Sequence, residues 1–122
     1  KTYEGEMSQA VSDLGISNIP FYGIARGFLT GKYRPGVTDV DSMRPAALVY
    51  TTDKNYAILT AMDEIAQAHN APLGAIALGW LRAQPTVSAP IASARTVPQL
   101  EEIIQVVELT PDEVVRLNSI SS

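Results

Sequence analysis

Apolar residues recur at helical intervals at the start of the chain, where Met7, Ala10, Val11 and Leu14 fall on one face of a segment running from Tyr3 to Leu14. Gly15 follows, the residue type that most easily adopts the left-handed turn closing a helix. The pattern then changes to a short continuous apolar run, Ile19-Pro20-Phe21-Tyr22, set between Asn18 and Gly23. Such a run predicts a buried strand. Glycines at 27, 31 and 36, the last after Pro35, mark the next stretch as loop. Val37 to Thr52 shows no period and reads as a long surface excursion, a length that suits a lid or binding loop. Ile58, Leu59, Met62, Ile65 and Ala66 restore a helical stripe over Lys54–His69, with Thr52 or Asp53 as its cap. A further helix starts at Pro72, is apolar on most sides, and stops at Gln84-Pro85.

Val87 to Ile91 predicts a second short strand. Thr96 caps a helix expected over Val97–Val107, and Thr96 with Gln99 has the spacing of a capping box. Thr110-Pro111-Asp112-Glu113 repeats that logic for a last helix ending near Ser119. Helix, strand, loop, two helices, strand and two helices is an α/β order with parallel strands. Two strands alone leave sheet edges unpaired and apolar helix faces uncovered. The pattern therefore describes part of a larger unit, or a chain that associates.

Composition narrows the chemistry. The net charge of -4 offers no basic footprint for nucleic acid, and no apolar run spans a bilayer. Without cysteine there is no disulfide, thiolate metal site or thiol nucleophile, which suits a cytoplasmic protein. The single histidine, His69, cannot build a multi-histidine metal site and reads as a polar helix terminus. The acidic pairs Asp63-Glu64 and Glu101-Glu102 splay apart on their helices and read as solvated faces.

Two loops remain as candidates for chemistry. Phe21 to Arg34 combines glycines, which let backbone N–H groups approach an anion, with Arg26, Lys32 and Arg34. Taken alone, it reads more readily as a tight turn with a solvated basic face. Ala92-Ser93-Ala94-Arg95-Thr96 leads from the second strand into a helix, an arrangement suited to phosphate, with Gln99 and Glu102 one turn apart behind it. Alone, it is also an ordinary cap. Together the two loops suggest a phosphate-rich ligand lying across neighbouring strand ends.

Three motifs give these loops a family likeness. Pro20 to Arg34 resembles the seventh-strand motif of the aldo-keto reductases. Ala75 to Pro85 resembles the helix that follows it, and Pro90 to Glu102 the eighth-strand motif. Order and spacing agree over nearly the whole chain. The resemblance implies a (β/α)8 TIM barrel of which residues 1–122 are the C-terminal segment. Two parallel strands with their helices would be present, starting just after strand six and incomplete as a barrel. Residues 19–34 would be the seventh-strand cofactor loop, and 87–107 the eighth strand with its adenosine-phosphate helix.

The implied function is that of an NADP-binding C-terminal part of an oxidoreductase that reduces aldehydes or ketones with NADPH. Phe21 takes the position that stacks on nicotinamide. Tyr22, Ile24, Ala25, Arg26, Gly27, Leu29, Gly31 and Lys32 lie in the segment that wraps the pyrophosphate, largely through backbone donors, with Lys32 and Arg26 adding charge. Ser93, Ala94, Arg95 and Gln99 match the holders of the 2′-phosphate, and Glu102 matches the acid near the adenine ribose. Ile103 stands where the family has an asparagine on adenine, which removes hydrogen-bonding capacity there. Phe21 stands for a tyrosine, Gly23 for a common proline, and Ser93 for a glycine.

The family's catalytic aspartate, tyrosine, lysine and histidine belong to earlier strands, and Tyr22, Tyr33, Lys32 and His69 match none of them. No catalytic residue and no metal ligand is therefore expected in this chain. A small carbonyl substrate would be handled by the intact enzyme, with the remainder of the barrel or another chain covering the apolar faces. The alternative is a non-catalytic fragment or a partner-dependent nucleotide-binding module.

Overall fold

The computed structural model describes residues 3–37 and 45–122. Five α-helices carry the chain: α1 (Glu6–Asp13), α2 (Asp53–His69), α3 (Leu73–Arg82), α4 (Val97–Ile103) and α5 (Pro111–Ser121). Two 3-10 helices, Ala25–Thr30 and Pro45–Tyr50, lie between α1 and α2.

The two expected strands are present only in outline. Asn18 and Val87 form a single parallel bridge. The Asn18 N–H donates to the Thr86 carbonyl at 2.7 Å, the Ser88 N–H to the Asn18 carbonyl at 3.0 Å, and the Ile91 N–H to the Pro20 carbonyl at 3.0 Å. The two segments thus run side by side and parallel, but no strand forms among the described residues. Pro20, lacking an N–H, cannot continue the ladder, and neither segment gains a second neighbour to hold it flat.

The core lies on the helical side. Leu59, Met62 and Ile65 of α2 and Ala75, Ile76 and Leu78 of α3 are buried together with Phe28, Tyr33 and Ala47. Phe28 is 1% exposed. Its ring lies 6.4 Å from Tyr33, 6.1 Å from Tyr50 and 6.1 Å from Tyr56. Burying a side chain of that size contributes about 1.5–3 kcal/mol, so the glycine-rich segment is anchored to α2 and α3 through Phe28. The stretch expected as irregular from Val37 to Thr52 therefore departs from expectation in part. Pro45–Tyr50 is a 3-10 helix that places Ala47 and Tyr50 on this core, whereas residues 38–44 of the expected lid lie outside the described residues.

Polar contacts lock the helices in place. Arg34 makes a two-pronged pair with Asp63 of α2 at 2.7 and 2.8 Å. Arg116 of α5 reaches Glu64 of α2 at 2.5 Å. His69 at the end of α2 meets both carboxylate oxygens of Glu113 at 3.0 Å. Asp63 and Glu64 stay partly exposed, as a solvated face would, yet each also pairs with a base from another element, and His69, expected as a polar helix terminus, pairs with Glu113. Adjacent acids do splay apart, but each finds its own basic partner once α5 and the loop are packed on α2.

Ala25–Thr30, expected as loop, is a 3-10 helix, and among the α-helices α1 and α4 depart furthest from their expected bounds. α1 begins at Glu6, after Gly5 with φ 87°, and buries none of its residues. Its stripe residues Met7 and Leu14 are exposed. α4 ends at Ile103 rather than Val107, and its capping box does not close. The Gln99 side-chain oxygen accepts from the Arg95 N–H at 3.0 Å in place of the Thr96 N–H.

Candidate functional site

The glycine-rich loop is shaped by backbone that L-residues seldom adopt. Tyr22, Ala25 and Arg26 have φ of 59°, 46° and 58°, and Gly27 has 97°. Holding a non-glycine residue there costs on the order of 1 kcal/mol. The burial of Ile24 and Phe28 on either side of the turn, and hydrogen bonds inside it, offset that cost. The Ala25 N–H donates to the Tyr22 carbonyl, the Gly27 and Leu29 N–H groups to Ile24, and the Gly31 N–H to Phe28. These four backbone donors are thus already engaged within the loop. A ligand phosphate would have to be met here more by side chains than the sequence implied.

Those side chains converge. Arg26, Gly27 and Lys32 from the first loop face Ser93, Arg95, Gln99, Glu102 and Ile103 from the second across a cleft of about 290 Å³, with Ile24 and Thr30 completing the wall. Gly27 leaves room for the Lys32 ammonium. A Cβ at 27 would stand 3.3 Å from Lys32 Cε and 3.6 Å from its Nζ. Residues separated by more than sixty positions are therefore brought to one cleft, as the two-loop reading requires.

The charges in this cleft are arranged differently from those outside it. Arg34 and Arg116 are spent on Asp63 and Glu64. Asp63 also raises the Arg34 pKa further, chiefly through their hydrogen bond. Arg34 is thus a structural tie and not a third loop cation, because its two-pronged pair with α2 occupies its guanidinium. Arg26, Lys32 and Arg95 form no ion pair among the described residues. Three such cations on one cleft, against the single carboxylate Glu102, favour an anionic ligand.

A second cleft of about 240 Å³ adjoins the first and shares Ile24, Arg26 and Ser93 with it. Phe21, Tyr22, Gly23, Ile91 and Ala92 line the rest. Phe21 is 72% exposed, its ring 4.8 Å from that of Tyr22. An aromatic face so open is suited to stacking on a planar ring. Gly23 packs closely on α3, since a Cβ there would come within 2.7 Å of the Leu81 side chain, which would have to shift. Ala94 and Arg95 border a shallower depression of about 270 Å³ with Thr96, Val97 and Leu100.

Not every expected residue faces a cleft. Ala25 and Leu29 pack against the core, and Gly31 is pressed between the Arg34 guanidinium and Leu73. Ile103 does double duty: it lines the cleft and would meet a Cβ on Gly74 of α3 at 3.3 Å. Thr30 was missed by the sequence reading. Its hydroxyl donates to the Gly27 carbonyl at 2.8 Å and borders the cleft. The only signal for it was its place inside the loop motif. Among the described residues no group of three or more acidic or histidine side chains is placed to hold a metal ion.

The chain matches the Aldo/keto reductase family over residues 2–122. An uncharacterized oxidoreductase of Bacillus subtilis (strain 168), YrpG, is 30% identical over 118 residues, covering 96% of this chain and 35% of that protein. The L-glyceraldehyde 3-phosphate reductase of Escherichia coli O157:H7 is 31% identical over 98 residues, 75% of this chain and 28% of that protein. Aldo-keto reductase yakc of Schizosaccharomyces pombe (strain 972 / ATCC 24843), whose name specifies NADP(+), is 33% identical over 98 residues, 77% of this chain and 29% of its own length. The chain spans about a third of the length of these curated relatives.

Proposed function

The chain belongs to the aldo/keto reductase family, whose fold is an α/β barrel of the TIM type, and on that premise we propose that it is the C-terminal, cofactor-binding part of an NADPH-dependent carbonyl reductase. The observation that carries this reading is the 290 Å³ cleft in which Arg26, Lys32 and Arg95 converge from two distant loops without a carboxylate partner among the described residues.

The residues fit the cofactor. Arg95 and Ser93, beside the start of α4, suit the 2′-phosphate, with Gln99 fixing the Arg95 backbone. Lys32, folded over Gly27, suits the pyrophosphate, and Glu102 the ribose hydroxyls. The exposed Phe21 ring suits the nicotinamide. NADPH, when bound, supplies the hydride; this chain orients it and neutralises its phosphates. The proton donor and its tuning residues would come from elsewhere in the protein. Two of the similar proteins are named L-glyceraldehyde 3-phosphate reductase. We extend only the carbonyl to this protein, as a small aldehyde or ketone.

The exposed stripe of α1, the exposed Val97 and Leu100 of α4 and Ile104 just after it would be covered by the remainder of a barrel or by another chain, in a cytoplasmic setting. A non-catalytic nucleotide-binding module built on the same cleft is the second reading. It needs only the cations of that cleft, Arg26, Lys32 and Arg95, and no proton donor.

Binding measured with full-length protein separates these readings from a structural loop. Arg95→Ala should weaken NADPH by about tenfold or more while leaving NADH within about twofold, because only NADPH carries the 2′-phosphate. Equal losses for both cofactors would remove Arg95 from that role. Turnover of an aldehyde by the wild type decides between the reductase and the non-catalytic module.

A further inference from the structure

Of the three residues that both clefts share, Ile24, Arg26 and Ser93, Arg26 is the cation, and it lies over the ring of Tyr22. The Arg26 guanidinium carbon sits 4.5 Å above the centre of the Tyr22 ring. Both residues hold left-handed backbone, φ 58° and 59°, and the Ala25 N–H donates to the Tyr22 carbonyl at 2.7 Å, closing the turn between them. That turn brings the ring of one under the cation of the other. Tyr22 is half exposed, so its ring is available as a platform rather than consumed by the core. Stacking holds a planar guanidinium flat while leaving its N–H edge free to donate.

Resting on the cofactor reading above, we infer that Tyr22 is a positioning residue, which by stacking beneath Arg26 holds that guanidinium at the junction of the two clefts to receive the diphosphate of a dinucleotide. The placement follows from what the clefts share. A dinucleotide lying across both must put its central diphosphate where they meet, and Arg26 is the cation on that common wall. Lys32 and Arg95 belong to the larger cleft alone. The loop's own need for side-chain donors points the same way, since the N–H groups of Ala25, Gly27, Leu29 and Gly31 are already engaged. Tyr22 acts through the face of its ring, so its hydroxyl is dispensable.

Calorimetric titration of the full-length protein with NADP+, ADP and adenosine 2′-monophosphate tests this. The first two carry a diphosphate and the third does not. Arg26→Ala should weaken NADP+ and ADP by about tenfold and leave adenosine 2′-monophosphate unchanged. Tyr22→Ala should weaken the same two by about three- to fivefold, and Tyr22→Phe should retain wild-type binding. In the Arg26→Ala background, Tyr22→Ala should add nothing, because its effect runs through the missing guanidinium. The inference is overturned by equal losses across all three ligands, by Tyr22→Phe behaving like Tyr22→Ala, or by independent, additive losses in the double variant. A wild type that binds none of the three would overturn the cofactor reading and this inference with it. Normal wild-type binding that Arg26→Ala leaves intact would overturn the inference alone.

Discussion

At the scale of single residues, the telling contrast is between cations that are paired and cations that are not. Arg34 and Arg26 look alike in sequence, both in one basic loop, yet Arg34 is tied to Asp63 and Arg26 lies over an aromatic ring at a cleft. The difference depends on α2, which supplies Asp63 from 29 residues away in sequence. Glu113 shows the same dependence. Burial pushes its carboxyl up, but the Thr110 N–H, the His69 ring and the Thr110 hydroxyl together outweigh this, and its pKa ends below the ordinary 4.5. A carboxyl held below its unfolded value stabilises the fold fully above that value and loses the contribution as pH falls through the folded one. Wild type should therefore be more stable than Glu113→Gln at pH 6–7, by about 1 kcal/mol. The gap should shrink as pH drops below about 4.5 and approach zero under strong acid. Urea unfolding of both proteins across that range measures it, and a gap independent of pH would mean that the carboxylate charge is not what matters.

At the scale of elements, helix ends were the most legible features. Thr52, Thr96 and Thr110 all cap as their spacing suggests, each hydroxyl accepting from the N–H three residues on. The last two caps differ in completeness. Glu113 returns a bond to the Thr110 N–H at 2.8 Å, closing the box on α5, whereas Gln99 reaches past Thr96 to the Arg95 N–H. Thr110→Ala should accordingly cost about 1–2 kcal/mol, and Thr96→Ala toward 0.5–1 kcal/mol, in chemical denaturation. Equal costs would imply that the reciprocal bond contributes little. If Gln99 serves to hold Arg95, Gln99→Ala should weaken NADPH binding with little change in stability. The strands were the least legible in outcome. Ile19–Tyr22 and Val87–Ile91 have strand-like patterns, but a lone pair of strands is only marginally stable, and here each segment has one neighbour.

At the scale of the whole molecule, apolar surface is left in particular places. Met7 on α1 and Leu14 just after it, Val97 and Leu100 on α4 and Ile104 just after it, stand open, as do Ile19, Phe21 and Ile91 along the two strand-like segments. Exposed faces of this kind mark sites where something else packs. The chain of 122 residues prepared alone should bind a hydrophobic dye strongly and self-associate in sedimentation, whereas a longer protein containing it should do neither. A monodisperse, dye-silent preparation of these 122 residues would show that the open faces are tolerated and need no partner.

Local chemistry was enough for the sequence to determine the five α-helices to within a few residues, their threonine caps, the core stripes of α2 and α3, and the two glycine- and cation-bearing loops. Each of these rests on residues within a turn or two of one another, so the information is present in the pattern itself. Tertiary structure decided the rest. It selected which cations are consumed in tying the fold and which remain at the cleft. It turned Ala25 and Leu29 into packing residues, engaged the loop's own N–H donors, and brought Tyr22 beneath Arg26. These outcomes depend on which distant segment lies beside a given side chain, and hydrophobic periodicity carries no record of that.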